Sequence, residues 1–151
     1  MTSPLVLPRH GWGDPSSSRR ALLVHGLGST GALMWRFGVE LSERGWFAEA
    51  VDLRGHGRAP RALDYTIGAY AADLAACRPQ DETPWDLVIG HSLGGTAAVV
   101  AAASVPDWTD RLVLVDPAIQ LDEPARYEIR ESQQRQFDDP SAEAVRERYE
   151  Q

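Results

Sequence analysis

The stretch Leu87-Val88-Ile89-Gly90-His91-Ser92-Leu93-Gly94-Gly95 holds a serine in a setting suited to covalent chemistry. A short apolar run reads as a buried strand, G-x-S-x-G follows, and a run of small residues from Thr96 to Ser104, apolar all round, reads as a buried helix. A strand that turns sharply into a helix lifts the intervening side chain above the sheet edge. The turn is crowded, so the positions two before and two after the serine must be tiny, and here they are Gly90 and Gly94. Gly95, Ala97 and Ala98 let the helix approach the sheet closely. The helix N-terminus aims N–H groups and a positive dipole end at the serine oxygen, which suits a developing oxyanion. That is the equipment of a nucleophile for acyl transfer. A serine hydroxyl also needs a general base and a third group to orient that base.

Two further loops carry candidate residues. Val24-His25-Gly26-Leu27-Gly28 follows one apolar strand, and Asp52-Leu53-Arg54-Gly55-His56-Gly57 follows the next. The first loop, extended to Gly31, also satisfies the glycine pattern of a dinucleotide fingerprint, with Asp52 near where a ribose-binding acid would sit. That rival reading leaves the turn at Ser92 and the Arg54-Gly55-His56-Gly57 segment unexplained. The histidines and the single cysteine lack metal-ligand spacing, so neither a metal nor another cofactor is expected.

The elements that must hold these loops alternate strand with helix, the signature of a mostly parallel, doubly wound α/β sheet. Leu5-Val6-Leu7 reads as a weak first strand, with the segment around His10 as another. Ala21 to Val24, Phe47 to Asp52, Leu87 to Ile89 and Leu112 to Val115 follow, about six in all. Leu33, Phe37 and Leu41 recur at helical spacing, and Gly45 ends that helix. Ile67, Tyr70, Ala71, Leu74 and Ala75 form a second stripe that Thr66 can cap. Cys77 reads as a buried structural thiol.

The ordered set Val24-His25-Gly26-Leu27-Gly28, Asp52-Leu53-Arg54-Gly55-His56-Gly57, Gly90-His91-Ser92-Leu93-Gly94-Gly95 and Leu114-Val115-Asp116-Pro117 resembles the α/β-hydrolase superfamily over residues 1 to about 120. The resemblance implies Ser92 as nucleophile and the backbone N–H groups of Leu27 and Leu93 as the oxyanion hole. Gly26, Gly28, Trp35 and His91 would lie at the substrate. The weightier role for Trp35 is to fill the interface between its helix and the site rim, and His91 packs beside the turn. His25 and His56 would orient loops. A serine at this turn disfavours epoxide hydrolases and haloalkane dehalogenases. Ester, thioester, lactone and carbon–carbon hydrolysis and cofactor-free haloperoxidase chemistry stay open.

The family's chain order is serine, acid, histidine, yet no histidine follows Ser92. Asp116, at the tip of the last strand, is the one candidate acid, set against a structural role in the Asp116-Pro117 turn. The expected organisation is an incomplete hydrolase core over 1–121 and the beginning of a helical cap over 122–151, where Asp139-Pro140 opens a helix with Ala142, Val145 and Tyr149 on one face. A hydrolase-like remnant acting only by binding is the third reading, beside hydrolase and dinucleotide-binding domain. The open last strand invites self-association.

Composition sets the outer limits. The 151 residues are 43% hydrophobic and 25% charged, the balance of one globular domain. A net charge of -7, with nine acidic and five basic residues in 122–151, argues against nucleic acid or an anionic membrane as partner. The expected partner is a small-molecule substrate. No basic leader or membrane-length apolar run is present, and a cytoplasmic location is the default expectation.

Overall fold

The computed structural model describes residues 3–119 together with Pro124, Tyr127, Glu128 and Glu131. The chain divides into two compact units, Met1–Ala118 and Ile119–Gln151. The sequence-based helix after Asp139-Pro140 lies outside the described residues.

Five strands order the first unit: β1 (Arg9–Trp12), β2 (Arg20–Val24), β3 (Phe47–Val51), β4 (Leu87–His91) and β5 (Leu112–Val115). They lie in the order β1-β3-β2-β4-β5, with β1 antiparallel to β3 and the remaining pairs parallel. A 3-10 turn (Gly31–Met34) leads into α1 (Trp35–Glu43), and α2 (Ile67–Ala75) and α3 (Leu93–Ser104) complete the unit. In β2 the side chains of Leu22 and Val24 face α2 and α3, whereas Ala21 and Leu23 face Met34 and Leu41 on the α1 side. Burial on both faces explains why the strands read as unbroken apolar runs.

Three expectations need correction. Leu5-Val6-Leu7 forms no strand, so the sheet has five strands rather than six among the described residues. Pro4 and Pro8 flank that segment and remove ladder donors, and the N–H of Leu5 is spent on the Asp73 carboxylate at 2.7 Å. The buried residue of α1 is Gly38, while Phe37 on that helix and Leu33 in the 3-10 turn before it are more than two-fifths exposed. A Cβ on Gly38 would sit 2.4 Å from the Trp12 ring, so the helix lies on β1 through backbone and indole, and of the expected stripe only Leu41 packs inward. Finally, α3 is buried only along Gly94, Gly95, Ala97, Ala98 and Ala101, its other face remaining half-open.

The α2 stripe holds, with Tyr70, Ala71 and Leu74 buried, and Thr66 Oγ1 accepts from the Ala69 N–H at 3.3 Å as an N-cap. Past α2, the Cys77 carbonyl accepts both the Trp85 and Trp108 indole N–H groups, at 2.8 and 3.3 Å. Burial pushes the Cys77 thiol up to about 11, far from a reactive thiolate. Gly45 ends the α1 connection at φ 78°, a conformation that glycine adopts without a Cβ penalty.

One fully buried ion pair ties the loop after β3 to α2. Arg54 donates to both Asp73 carboxylate oxygens at 2.7 Å and to the Asp64 carbonyl at 2.7 Å. Its bonds to Asp73 raise the guanidinium pKa further. Removing one partner of such a pair leaves the other charge buried and uncompensated. Asp73→Ala is therefore expected to lower the unfolding free energy by about 3–5 kcal/mol in urea denaturation.

Candidate active site

Ser92 sits between β4 and α3 with φ 48° and ψ -120°, a combination that costs a non-glycine residue free energy and persists only where its surroundings enforce it. The enforcement is local and legible. A Cβ added at Gly90 would fall 2.7 Å from Gly95 Cα, and one added at Gly94 would fall 2.4 Å from the His25 carbonyl oxygen. Both are backbone atoms that cannot step aside. The three glycines thus bring strand, helix and the loop after β2 into direct backbone contact.

The same contact brings the first loop to the serine. A Cβ at Gly26 would lie 3.1 Å from Ser92 Cβ and 2.9 Å from His91 Nδ1. Gly26, His91 and Ser92 therefore share one place at the carboxyl ends of β2 and β4, with Leu93 beginning the helix beside them. The Leu27 and Leu93 N–H groups have no hydrogen-bond partner among the described residues. No hydrogen bond reaches the Ser92 hydroxyl from a described residue either.

Two histidines are committed to scaffolding. His25 is fully buried, donates from Nδ1 to the Gly26 carbonyl at 2.7 Å and accepts the Leu53 N–H at Nε2, 3.1 Å away. Burial pushes its imidazole down to about 4, so the neutral ring is the working form. His56 donates from Nδ1 to the Arg54 carbonyl at 2.9 Å and accepts the Gly28 N–H at 3.2 Å. The Gly28 amide is thereby turned toward the loop after β3.

Asp52, for which the sequence offered only the rival ribose-binding role, is a loop brace. Its carboxylate is buried and accepts the Gly31 N–H at 2.8 Å and the Arg58 N–H at 3.0 Å, and it pairs with His10 at 3.3 Å. Burial drives its pKa up, but the bonds from Arg58, Gly31 and His10 outweigh it and hold the group below the ordinary carboxylate range. A carboxylate so occupied has no oxygen to offer a ribose, which removes the dinucleotide reading. Gly57 was the available signal: at φ 51°, a Cβ there would sit 2.5 Å from the Asp52 carboxyl carbon.

Two other candidate residues lie at the surface. Trp35 is half-exposed, with the Arg36 guanidinium stacked 5.3 Å from its ring centroid. Asp116 is exposed at φ 45°, and its carboxylate bonds to no histidine among the described residues. In the same set, no cluster of His, Cys, Asp and Glu could hold a metal, and no helix is long and apolar enough to cross a membrane.

Gly94→Ala is expected to cost at least roughly 3 kcal/mol, because backbone must move. Gly26→Ala meets mainly the movable His91 ring and should cost only about 1 kcal/mol. Urea unfolding of both variants checks the contrast. His25 sets a pH dependence. The unfolded chain binds a proton near pH 6.5, the folded one only near 4, so stability falls as pH drops between those values. The loss is at most roughly 3 kcal/mol and is absent above about pH 7. Denaturant titrations at about pH 7.5 and about pH 5 should show it, and His25→Gln should flatten it.

The sequence profile of the alpha/beta hydrolase fold matches residues 22–149. Lipase LipV of Mycobacterium tuberculosis is 39% identical over 122 residues, covering 81% of this chain and 45% of that protein. A pimeloyl–acyl-carrier-protein methyl ester esterase of Neisseria meningitidis is 38% identical over 100 residues, covering 66% of this chain and 37% of that protein. Among solved structures, a marine microorganism esterase superposes with a TM-score of 0.66 at 30% identity, over 73% of this chain and 41% of that one. The chain spans less than half the length of each of these relatives. Profile, parallel sheet and strand-to-helix bend agree, and the chain belongs to the α/β-hydrolase fold family.

Proposed function

We propose that this chain carries the nucleophile half of a serine hydrolase acting on an ester, thioester or similar acyl bond. Ser92 attacks the acyl carbon, and the N–H groups of Leu27 and Leu93 receive the oxyanion. One observation carries the reading: the Ser92 bend at φ 48° and ψ -120°, beside two amides that have no partner among the described residues. A pair of preorganised amide donors at such a site is worth about 10²–10³ in rate per donor. The lipase and esterase names of the relatives point to the same bond class.

The attacking hydroxyl must lose its proton as it bonds to carbon. His25 and His56 have both ring nitrogens engaged, and His10 is held to Asp52. None of these three rings is free to take that proton. Substrate discrimination belongs to whatever surface faces Gly26, Gly28 and His91.

A fluorophosphonate probe should attach to Ser92, located by mass spectrometry of the digested protein. Ser92→Ala should abolish both labelling and any turnover of a p-nitrophenyl ester, and NADH fluorescence should show no saturable binding. Turnover that survives Ser92→Ala, or a label found on another residue, would remove this reading.

A further inference from the structure

The Ser92 peptide is held from one side by a turn whose own backbone is strained. The Ser92 N–H donates to the Val115 carbonyl at 3.0 Å, and the Ser92 carbonyl accepts the Ala118 N–H at 3.3 Å. Only Asp116 and Pro117 separate those two partners, so the chain must fold back tightly to present both to a single residue. Asp116 makes that turn at φ 45°, in the left-handed region that disfavours residues with a Cβ. Pro117 then closes on α3, where a Cβ on Gly95 would lie 3.3 Å from its Cβ.

The side chain tells a different story from the backbone. The Asp116 carboxylate is exposed and hydrogen-bonds to no described residue. Aspartate and asparagine are the non-glycine residues that best tolerate a left-handed conformation. We propose that Asp116 is a positioning residue that acts through its left-handed backbone, bracketing the strained Ser92 peptide between Val115 and Ala118, with no part played by its charge. The bracket itself is independent of the nucleophile reading; only its consequence for reactivity rests on Ser92 being the nucleophile.

Charge and conformation separate by substitution in the full 151-residue chain. Asp116→Asn removes the charge and keeps the left-handed preference. Asp116→Val removes both, because a β-branched residue before proline resists positive φ. Amide hydrogen exchange at Ser92 and Ala118 is the first readout, and the rate of fluorophosphonate labelling is the second. For Asp116→Asn both should stay within about twofold of the parent chain. For Asp116→Val the two amides should exchange roughly tenfold faster, with those of β2 and β3 unchanged and labelling slowed by a similar factor. If the valine variant does not fold, Asp116→Ala is read at the same two amides, with the same direction expected. Asparagine losing as much as valine would overturn the proposal in favour of a carboxylate role. Unchanged exchange at Ser92 and Ala118 in the valine or alanine variant would overturn it too. A parent chain that never labels at Ser92 would count against the nucleophile, while the exchange comparison still decides the bracket.

Discussion

A residue held at φ 48° and ψ -120° stores on the order of 1–3 kcal/mol, and it stays there only because everything around it forbids relaxation. At Ser92 the prohibition is steric on one side and hydrogen-bonded on the other. Backbone-to-backbone contact through Gly90, Gly94 and Gly95 leaves no room for the strand to run on straight or for the helix to start later. Across the sheet, β5 and the turn after it fasten the N–H and the carbonyl of the same residue. Relaxing the bend would require β2, β4, β5 and α3 to separate, which is the hydrophobic core itself. Local strain is thus held by global burial, and the Ser92 side chain is pointed by the fold rather than by its neighbours in sequence.

The loop that faces the serine is fixed by a different kind of force. Residues 25–31 have little apolar surface to bury, so their backbone groups are tied polar atom by polar atom to the loop after β3. His25 receives the Leu53 amide, His56 receives the Gly28 amide, and Asp52 receives the Gly31 amide. Each acceptor is a side chain whose charge state matters: two imidazoles that accept only when unprotonated at Nε2, and a carboxylate stabilised as the anion. Behind them the Arg54–Asp73 pair anchors the second loop to α2. Such polar networks fix the loop's amides while leaving the Leu27 N–H without a partner among the described residues. They also explain why the family's histidines in these loops serve as struts here, since a ring with both nitrogens bonded has nothing left to give a proton or take one.

Much of this is legible in the sequence. Glycine at positions two before and two after Ser92, between an apolar strand and a small-residue helix, has one economical explanation, and the backbone contacts at Gly90 and Gly94 supply it. The strands at Ala21, Phe47, Leu87 and Leu112 were legible because burial on both faces leaves an unbroken apolar run. Thr66 was legible as a cap because its role involves only residues within one turn. Where periodicity alone was the guide, it misled. Leu5-Val6-Leu7 has strand composition, but its amide is claimed by Asp73 and prolines flank it. Leu33 and Phe37 keep helical spacing, yet the buried residue of α1 is Gly38, because the Trp12 ring already fills the space a side chain would need.

Sequence by itself determined the elements that depend on near neighbours: the apolar strands, the capped α2, the glycine spacing of the bend and the chemical identity of the nucleophile candidate. Only the tertiary structure decided which polar groups meet across tens of residues. That Asp52 braces Gly31 rather than a ribose, that His56 is a strut, and that Val115 and Ala118 fasten the Ser92 peptide all follow from loops converging at one sheet edge. The physical reason is range. Propensity and periodicity act within a few residues, whereas a buried carboxylate or imidazole takes whichever donor the packed sheet brings within 3 Å, wherever that donor lies in the chain.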